Sequence, residues 1–242
     1  MIYTIIIAGL VIFTLERLMP ANKLPRVRGW WLRVVIINGI QLGIVLLGAK
    51  TWDIWFQKVS LLNQGAYMHP ALGGAIAYLV STFVYYWWHR ARHDSRFLWL
   101  TFHQVHHSPT RIETITSFYK HPAEIIANSL LTGVIAYVLL GVGVEGAAYN
   151  LLYSALGEYF YHMNISTPRW VGWFLQRPEM HRVHHQEGVH YYNFADLPVW
   201  DMLFGTYKNP ERFEGRCGFE ENREARLGAM FAFRDVNQEA QS

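Results

Sequence analysis

Histidines at helical spacing are the residues of this sequence best suited to chemistry. Twelve histidines occur among 242 residues, and eight of them fall in three short segments, here called boxes one, two and three. Residues three or four positions apart share one face of a helix, so each box would present its imidazoles together. Because neutral imidazole binds zinc, copper, iron and nickel, the boxes predict a metal centre. They are His89-Arg-Ala-Arg-His93, His103-Gln-Val-His106-His107 and His181-Arg-Val-His184-His185.

Eight imidazoles are too many for one metal ion. Two ions with roughly three to five nitrogen ligands each would use them and leave positions for oxygen or water. The sequence lacks the HExxH pattern of zinc proteases, the GxSxG elbow of hydrolases, a Walker loop and a GxGxxG loop. A ligand set made almost wholly of nitrogen also differs from that of the soluble di-iron bundles, which use Glu and Glu-x-x-His.

Composition excludes several other classes of protein. Charged residues make up 16% and hydrophobic residues 52% of the chain, whereas an average soluble domain carries roughly 25% charge and a disordered chain more. The single cysteine, Cys217, excludes an internal disulfide and any CxxC site. The net charge of +3 is too small and too scattered to indicate a nucleic-acid partner.

Apolar segments, most of them close to the ~20 residues that cross a bilayer, must position the boxes. The candidates are residues 2–15, 30–49, 70–88, 125–144 and 146–163. The first is short, and the last is interrupted by Glu158, a carboxylate that is costly inside a membrane and by default indicates function. The pattern predicts four or five transmembrane helices; in the alternative, residues 125–163 form a hairpin that only dips into the bilayer.

Basic residues orient the chain. Residues 16–33, residues 89–123 and the region after residue 163 are rich in Lys and Arg, whereas the loops at 50–65 and 141–146 are poor in them. Cytoplasmic loops carry the excess of positive charge, so all three boxes are expected on the cytoplasmic side.

The predicted fold is an all-α integral membrane helix bundle of four or five transmembrane helices with a cytoplasmic histidine-rich helical cap. We expect a single domain over residues 1–242. Within it, residues 1–84 form N-terminal transmembrane helices, residues 85–210 form the histidine-box catalytic region, and residues 211–242 form a charged cytoplasmic tail. The composition of that tail is typical of a soluble helix or a frayed terminus.

Around the boxes the sequence resembles the fatty acid hydroxylase/sterol desaturase superfamily of integral membrane di-iron oxygenases. The gap between His93 and His103 is short, as in this superfamily, whereas acyl-CoA desaturases and alkane hydroxylases separate the first two boxes more widely. Three further stretches are similar to motifs of the superfamily: Phe118-Tyr-Lys-His121-Pro-Ala-Glu124, Tyr161-His162-Met-Asn164, and Asn193-Phe-Ala-Asp-Leu-Pro-Val-Trp200-Asp201-Met-Leu-Phe204-Gly205-Thr206-Tyr207.

The resemblance implies nine metal-ligating residues of the catalytic site, namely His89, His93, His103, His106, His107, His162, His181, His184 and His185. Relatives place a tenth histidine four residues before the one that matches His162, and here that position is Glu158. Glu158 is therefore a further catalytic candidate that would bind a metal, hold a bridging water or orient His162. His121 and His190 are candidates for positions near the metals.

Metal-bound histidines usually donate their other N–H to an acceptor. The polar residues that could accept these hydrogen bonds are Asp94, Glu113, Asn164, Glu179, Asn193 and Asp201. Capping and surface solvation are the ordinary alternative for each of them.

The resemblance also implies two iron ions as cofactors, O2 as co-substrate, and oxidation of an unactivated C–H bond in a lipid. Hydroxylation is favoured over desaturation because it needs one C–H bond in position rather than two. Zinc can replace iron on overexpression, since it binds nitrogen sites more tightly. A non-catalytic membrane metal-binding protein and a zinc-dependent lipid hydrolase are the alternatives from other classes.

Partners and location follow from the same resemblance. About 35 residues follow Tyr207, fewer than the ~50 of a small domain, so we expect electrons from a separate protein of the ferredoxin, cytochrome b5 or reductase type. The membrane and a lipid substrate are the other expected partners, and the sequence does not predict an oligomeric state. The short chain is more typical of a bacterial inner-membrane protein than of one from the endoplasmic reticulum.

Overall fold

The computed structural model describes residues 1–219 and 223–238, which form helices joined by turns and loops. An isolated bridge between Gln186 and Cys217 is the only β-type pairing among these residues, so the all-α prediction is confirmed. The helices are α1 (Ile2–Leu18), α2 (Trp30–Lys50), α3 (Trp52–Phe56), α4 (Pro70–Asp94), α5 (Arg96–Leu98), α6 (Gln104–His107), α7 (Pro122–Gly133), α8 (Gly143–His162), α9 (Pro178–His184), α10 (Pro198–Phe204) and α11 (Leu227–Phe231).

Helix α4 carries box one as the continuation of an apolar helix, as the sequence predicts. Pro70 occupies its first turn, where a missing N–H costs nothing. The preceding His69 caps the helix, because its Nδ1 accepts a hydrogen bond from the Ala71 N–H at 3.2 Å. The helix then runs without interruption past the second histidine of box one, so both imidazoles lie on one face.

Helices α4 and α8 form the most extensive helix pair of the described chain. Their close approach depends on small residues. A Cβ atom on Gly74 would lie 2.4 Å from the Tyr149 Cβ and 2.7 Å from the carbonyl oxygen of Gly146, so a larger residue would separate the helices. The pair holds the second half of α4 against the end of α8, where His162 lies.

Two helical stretches of the described residues are long and apolar enough to cross a membrane by length and composition. They are Trp30–Phe56 and Pro122–Leu139, with mean hydropathies of 1.9 and 1.5. Many apolar side chains of α1 and α2 point away from the protein, including those of Ile7, Leu10 and Val35, which are 60%, 61% and 67% exposed. This is the arrangement expected of lipid-facing helices, and the count of four or five spans stays a prediction.

Boxes two and three lie on short helices that return over the end of α4. After α5 the chain forms a π-helical turn over Trp99–His103 and continues as α6. Single π-helical turns contain an extra residue and occur frequently at functional sites. Box three lies on α9, which begins at Pro178 and is almost entirely buried.

The C-terminal region is more deeply integrated than the sequence predicts. Phe219, Met230 and Val236 are buried in one hydrophobic cluster with Trp30 and with Val105 of box two. Composition does not reveal this burial, because the few apolar residues are dispersed among charged ones. The described part of this region, residues 211–219 and 223–238, thus covers the outer side of the histidine helices. The remaining residues of the expected tail are not among those that the structure describes.

A buried carboxylate joins α1 to the two loops that contain Thr114 and Asn164. Glu16 is 1% exposed, and its Oε2 accepts hydrogen bonds from the N–H and hydroxyl of Thr114 and from the N–H of Asn164, at 2.8–2.9 Å. A neighbouring carboxylate, Glu113, is fully buried and accepts from Trp30 Nε1 at 2.9 Å and from Arg17. Both carboxylates therefore stabilise the fold and are not part of the histidine site.

Replacing Glu16→Ala should strongly destabilise the fold. The change leaves two buried backbone N–H groups without acceptors, at about 1–3 kcal/mol each, so we expect a loss of about 2–6 kcal/mol of unfolding free energy. Denaturant unfolding of the purified protein in detergent measures this loss. The control is Glu145→Ala at an exposed position near the start of α8; equal stability of the two variants would contradict the assigned role of Glu16.

Candidate metal centre

Nine histidines converge in two adjacent clusters among the described residues. Within each cluster the candidate ligand atoms all lie within 4.8 Å of one another. Cluster one contains His89, His93, His103, His107 and His184, and cluster two contains His106, His162, His181 and His185. The structure thus brings together all nine histidines of the expected ligand set. Each cluster can hold a metal ion.

Two pairs of consecutive histidines are divided between the clusters. His107 belongs to cluster one and His106 to cluster two, and His184 and His185 are divided in the same way. Ring centroids within the two pairs are 5.6 and 5.4 Å apart. The rings of His107 and His185 stack on each other at 4.2 Å, so boxes two and three meet at the boundary between the clusters.

The Nε2 atoms of three imidazoles face one another in cluster one. His107 Nε2 lies 3.1 Å from the Nε2 atoms of both His103 and His184. Two nitrogen ligands at right angles, each about 2.1 Å from one ion, lie about 3.0 Å apart. A ring nitrogen carries at most one hydrogen, so it cannot donate to two neighbours at once, whereas a shared metal ion would satisfy all three nitrogens.

Cluster two repeats this geometry. His181 Nε2 lies 3.0 Å from the Nε2 atoms of both His162 and His185. In cluster one, His89 Nε2 and both ring nitrogens of His93 are buried and have no hydrogen-bond partner. An unsatisfied buried polar atom costs about 1–3 kcal/mol, and metal coordination would remove that cost.

Backbone carbonyls orient four of the imidazoles. With the proton on Nδ1, each ring donates to a carbonyl and leaves Nε2 free for a metal. The pairs are His89 with Phe194 at 2.7 Å, His106 with Tyr119 at 3.3 Å, His162 with Glu158 at 2.8 Å, and His184 with Tyr192 at 2.8 Å.

The six polar residues expected to accept from these imidazoles have other partners. Asp201 accepts hydrogen bonds from the N–H groups of Phe194 and Ala195, so it acts on His89 only by holding the carbonyl that the imidazole uses. Glu179 accepts from the N–H and hydroxyl of Thr167. Glu113 is tied to Trp30, Asn164 accepts from Arg182, Asn193 donates to the carbonyls of Met180 and Lys208, and Asp94 pairs with Arg90.

One carboxylate does contact an imidazole. His103 Nδ1 lies 3.3 Å from Glu124 Oε1, and Arg92 forms a buried ion pair with the same oxygen. The sequence did not single out Arg92 or Glu124 for this role, although Glu124 is an isolated charge directly before an apolar segment. Their pairing is visible only when α4 and α7 are placed side by side.

Glu158 lies at the edge of cluster two and is not one of its members. Its Oε1 accepts a hydrogen bond from Lys120 Nζ at 2.6 Å, and its Oε2 lies 3.6 Å from His162 Nδ1, on the side of the ring opposite Nε2. The backbone carbonyl of Glu158, and not its carboxylate, accepts the His162 N–H. The geometry therefore favours a role beside the metals over direct ligation.

The remaining histidines differ in position. His121 caps α7, as His69 caps α4, because its Nδ1 accepts from the Ala123 N–H at 3.0 Å. The ring of His190 lies 5.5 Å from that of His93 and 5.2 Å from that of His107. His190 is thus adjacent to cluster one, and His121 is a structural cap.

Burial keeps the clustered imidazoles uncharged. It lowers the pKa of His89, His93, His103, His106, His107, His181 and His185 well below 6.5, and neighbouring imidazoles and cations lower these pKa values further. Burial also lowers the pKa of His184 to about 3. Neutral imidazole is the metal-binding form, so the ligand set is ready for metal at neutral pH.

A cavity of about 50 Å³ touches both clusters. Its wall includes His89 and His103 of cluster one and His106 and His181 of cluster two. The rest of the lining comes from α4, α7, α8 and the loops before α7 and α10, and it carries the ion pairs of Arg92 with Glu124 and of Lys120 with Glu158. The cavity is the place where a substrate atom could lie close to both metal positions.

Comparison with known proteins identifies relatives of this chain. A family model described as fatty acid hydroxylase matches residues 74–206, which include every clustered histidine. A very-long-chain aldehyde decarbonylase from Oryza sativa subsp. indica is 28% identical over 76% of the chain and 75% of its own length. No solved structure matches the chain.

Two further relatives are much longer than the part that matches. A second very-long-chain aldehyde decarbonylase from Oryza sativa subsp. indica is 32% identical over 51% of the chain, which is 21% of that relative. The alkylglycerol monooxygenase of Homo sapiens is 29% identical over 54% of the chain, which is 30% of that relative. The matched part therefore spans less than a third of each of these two proteins.

The division into two clusters predicts metal stoichiometry. We expect about two ions per chain in protein purified from iron-supplemented cells, and about one in the variants His184→Ala and His106→Ala, because each removes a ligand from one cluster only. Elemental analysis of purified protein measures this. His121→Ala, which removes a helix cap of about 1 kcal/mol, should keep both ions; equal metal loss in all three variants would contradict the assignment.

The lowered pKa values predict acid sensitivity of the metal-free protein. Below about pH 6.5 the histidines of the unfolded chain bind protons, whereas the buried imidazoles of the folded protein do not. The free energy of unfolding therefore falls as the pH falls, by up to about 1.4 kcal/mol per pH unit for each histidine. Thermal unfolding with and without chelator between about pH 8 and pH 5 measures this. Metal-loaded protein should stay folded to lower pH than metal-free protein. An unfolding temperature of the chelated protein that does not change with pH would refute the prediction.

Proposed function

The chain belongs to the fatty acid hydroxylase family, and on that premise we propose that it is a membrane-bound di-iron oxygenase that hydroxylates an unactivated C–H bond of a lipid. The observation that carries the proposal is the division of nine imidazoles, seven of them in buried residues, into two adjacent clusters beside one cavity. Iron bound in both clusters would supply O2 activation, which the amino-acid side chains cannot provide.

The protein's own groups would perform three tasks in this reaction. The carbonyls of Phe194, Tyr192 and Tyr119 hold the imidazoles in one tautomer. The buried position of the cavity between α4, α7 and α8 limits access of bulk water to the reacting carbon. The lipid-facing surfaces of α1 and α2 would keep the enzyme in the membrane, from which the substrate enters.

The overall reaction requires two electrons and two protons besides O2, and it yields the hydroxylated lipid and one water. A separate one-electron donor of the ferredoxin, cytochrome b5 or reductase type would supply the electrons. Its docking side would be that of His93 and Trp99, which are only partly buried and whose rings lie 5.3 Å apart. Arg96, with a side chain 66% exposed, lies three residues before Trp99 and is already paired with Asp235 at 3.6 Å, so an acidic partner would have to compete with Asp235 for it.

Two features support hydroxylation over the hydrolase alternative. A zinc-dependent lipid hydrolase needs a carboxylate base at the metal, and the candidate for that role, Glu158, is engaged by Lys120. The named activity of the human relative is that of a monooxygenase. Desaturation stays the closest alternative, since both outcomes use the same site. The proposed location is the bacterial inner membrane, with the clusters on the cytoplasmic side.

The test is turnover of membrane lipids by iron-loaded protein in lipid nanodiscs with isotopically labelled O2, a ferredoxin and its reductase. We expect one labelled oxygen atom in a product lipid, detected by mass spectrometry, and at least a hundredfold less product with His184→Ala. Loss of two hydrogens without label would indicate desaturation instead. Turnover with NAD(P)H and no second protein would refute the external donor, and absence of any oxidised lipid with two irons bound would refute the oxygenase.

A further inference from the structure

The cavity beside the two clusters is lined by charged side chains as well as by aromatic rings. Arg92 and Glu124 form one ion pair on its wall, and Lys120 and Glu158 form a second. Asp196 adds a third carboxyl group, which accepts a hydrogen bond from Tyr161 at 3.0 Å. An alkyl chain placed there would remove water from these groups without replacing their hydrogen bonds, which is costly.

Two carboxylate oxygens on this wall have no partner. Glu124 is fully buried, and its Oε2 has no hydrogen-bond donor, while its Oε1 is used by Arg92. The buried Oε2 of Glu158 also has no donor, while its Oε1 is used by Lys120. Both atoms can only accept hydrogen bonds, so the group that completes the wall must carry donors.

The size of the cavity limits what fits. A volume of about 50 Å³ accommodates about three or four water-sized groups, at ~10–15 Å³ for each. That is the size of a small polar end group of a lipid. The rest of the lipid must lie outside, and the carbon nearest the imidazoles must be close to the polar end.

From these observations, and resting on the proposed function, we infer that the substrate is a lipid with an uncharged, hydroxyl-bearing end, which lies in this cavity and donates to Glu124 and Glu158. The oxidised carbon then lies within a few bonds of that end. Lys120 and Arg92 hold the two carboxylates in place and are neutralised by them, so the wall offers no excess positive charge to a free carboxylate.

The metal ions themselves would attract an anion, and this is the strongest competing consideration. A fatty-acid carboxylate drawn to the ions would place its oxygens against Glu124 and Glu158, whose free oxygens also only accept. Two acceptors without a donor between them repel each other. A hydroxyl-bearing end meets the same oxygens with donors, and such hydrogen bonds to charged groups are the strong ones.

The test is a binding competition on zinc-loaded protein, which does not depend on turnover. Tritium-labelled hexadecane-1,2-diol is the probe, and hexadecanoate and hexadecane, which have the same chain length, are the competitors. We expect the diol to bind at least about tenfold more tightly than either competitor. Equal or tighter binding of hexadecanoate, or failure of the diol to bind, would overturn the inference.

A variant with a neutral side chain of similar size distinguishes loss of end-group binding from general loss of the fold or of the metal ions. Glu158→Gln should keep both metal ions and weaken binding of the diol about tenfold. The affinity for hexadecanoate should then nearly equal that for the diol, because Lys120 loses its carboxylate partner. Glu145→Gln, an exposed position on the same helix, should leave the ratio unchanged. An unchanged ratio in Glu158→Gln, or metal loss in that variant, would overturn the inference.

The two proposals fail in different ways. If iron-loaded protein oxidises no lipid while the zinc-loaded protein still prefers the diol, the oxygenase is wrong and the end-group site stands. If iron-loaded protein oxidises hexadecanoate in the middle of its chain, the oxygenase stands and the end-group site is wrong.

Discussion

Nine neutral imidazoles packed together are the constraint to which the rest of the structure is fitted. A ring that binds a metal through one nitrogen is best held by an acceptor for the N–H of the other. The carbonyls of Phe194, Tyr192, Tyr119 and Glu158 supply such acceptors for four of the nine imidazoles. The segments that carry these carbonyls are themselves held by buried hydrogen bonds. Asp201 holds the Phe194 segment, and Glu16 joins α1 to the loops at Thr114 and Asn164.

Contact with lipid and construction of the histidine site require different helix surfaces, and different helices provide them. Helices α2 and α7 are apolar enough to face lipid, whereas α4 and α8 contact each other closely through small residues and carry polar groups where they approach the clusters. Glu158 illustrates the consequence. A carboxylate in this part of α8 is tolerated because Lys120 neutralises it. The pair also places two charged groups on the wall of the cavity.

Eight of the nine clustered histidines could be predicted from the sequence as a candidate metal site, because they fall in three groups at helical spacing, whereas His162 followed only from the resemblance to the superfamily. The continuation of α4 through box one followed from the uninterrupted helical pattern. The acceptors of the imidazole N–H groups could not be predicted. Backbone carbonyls carry no signature in sequence, so carboxylates such as Glu179 and Asp201 were the visible candidates. The pair Arg92 and Glu124 and the burial of Phe219 and Met230 were also missed, since both depend on contacts between distant segments.

The sharing of neighbouring histidines between the clusters has a mechanical consequence. His106 and His107 are joined by one peptide unit, as are His184 and His185, and in each pair one imidazole serves each cluster. Helices that slide or tilt with the thickness of the bilayer would carry the members of a pair together, because covalent geometry does not stretch. The separation of the two metal positions is thus set by the backbone of α6 and α9. It should stay constant while the surrounding bundle adapts to membranes of different composition.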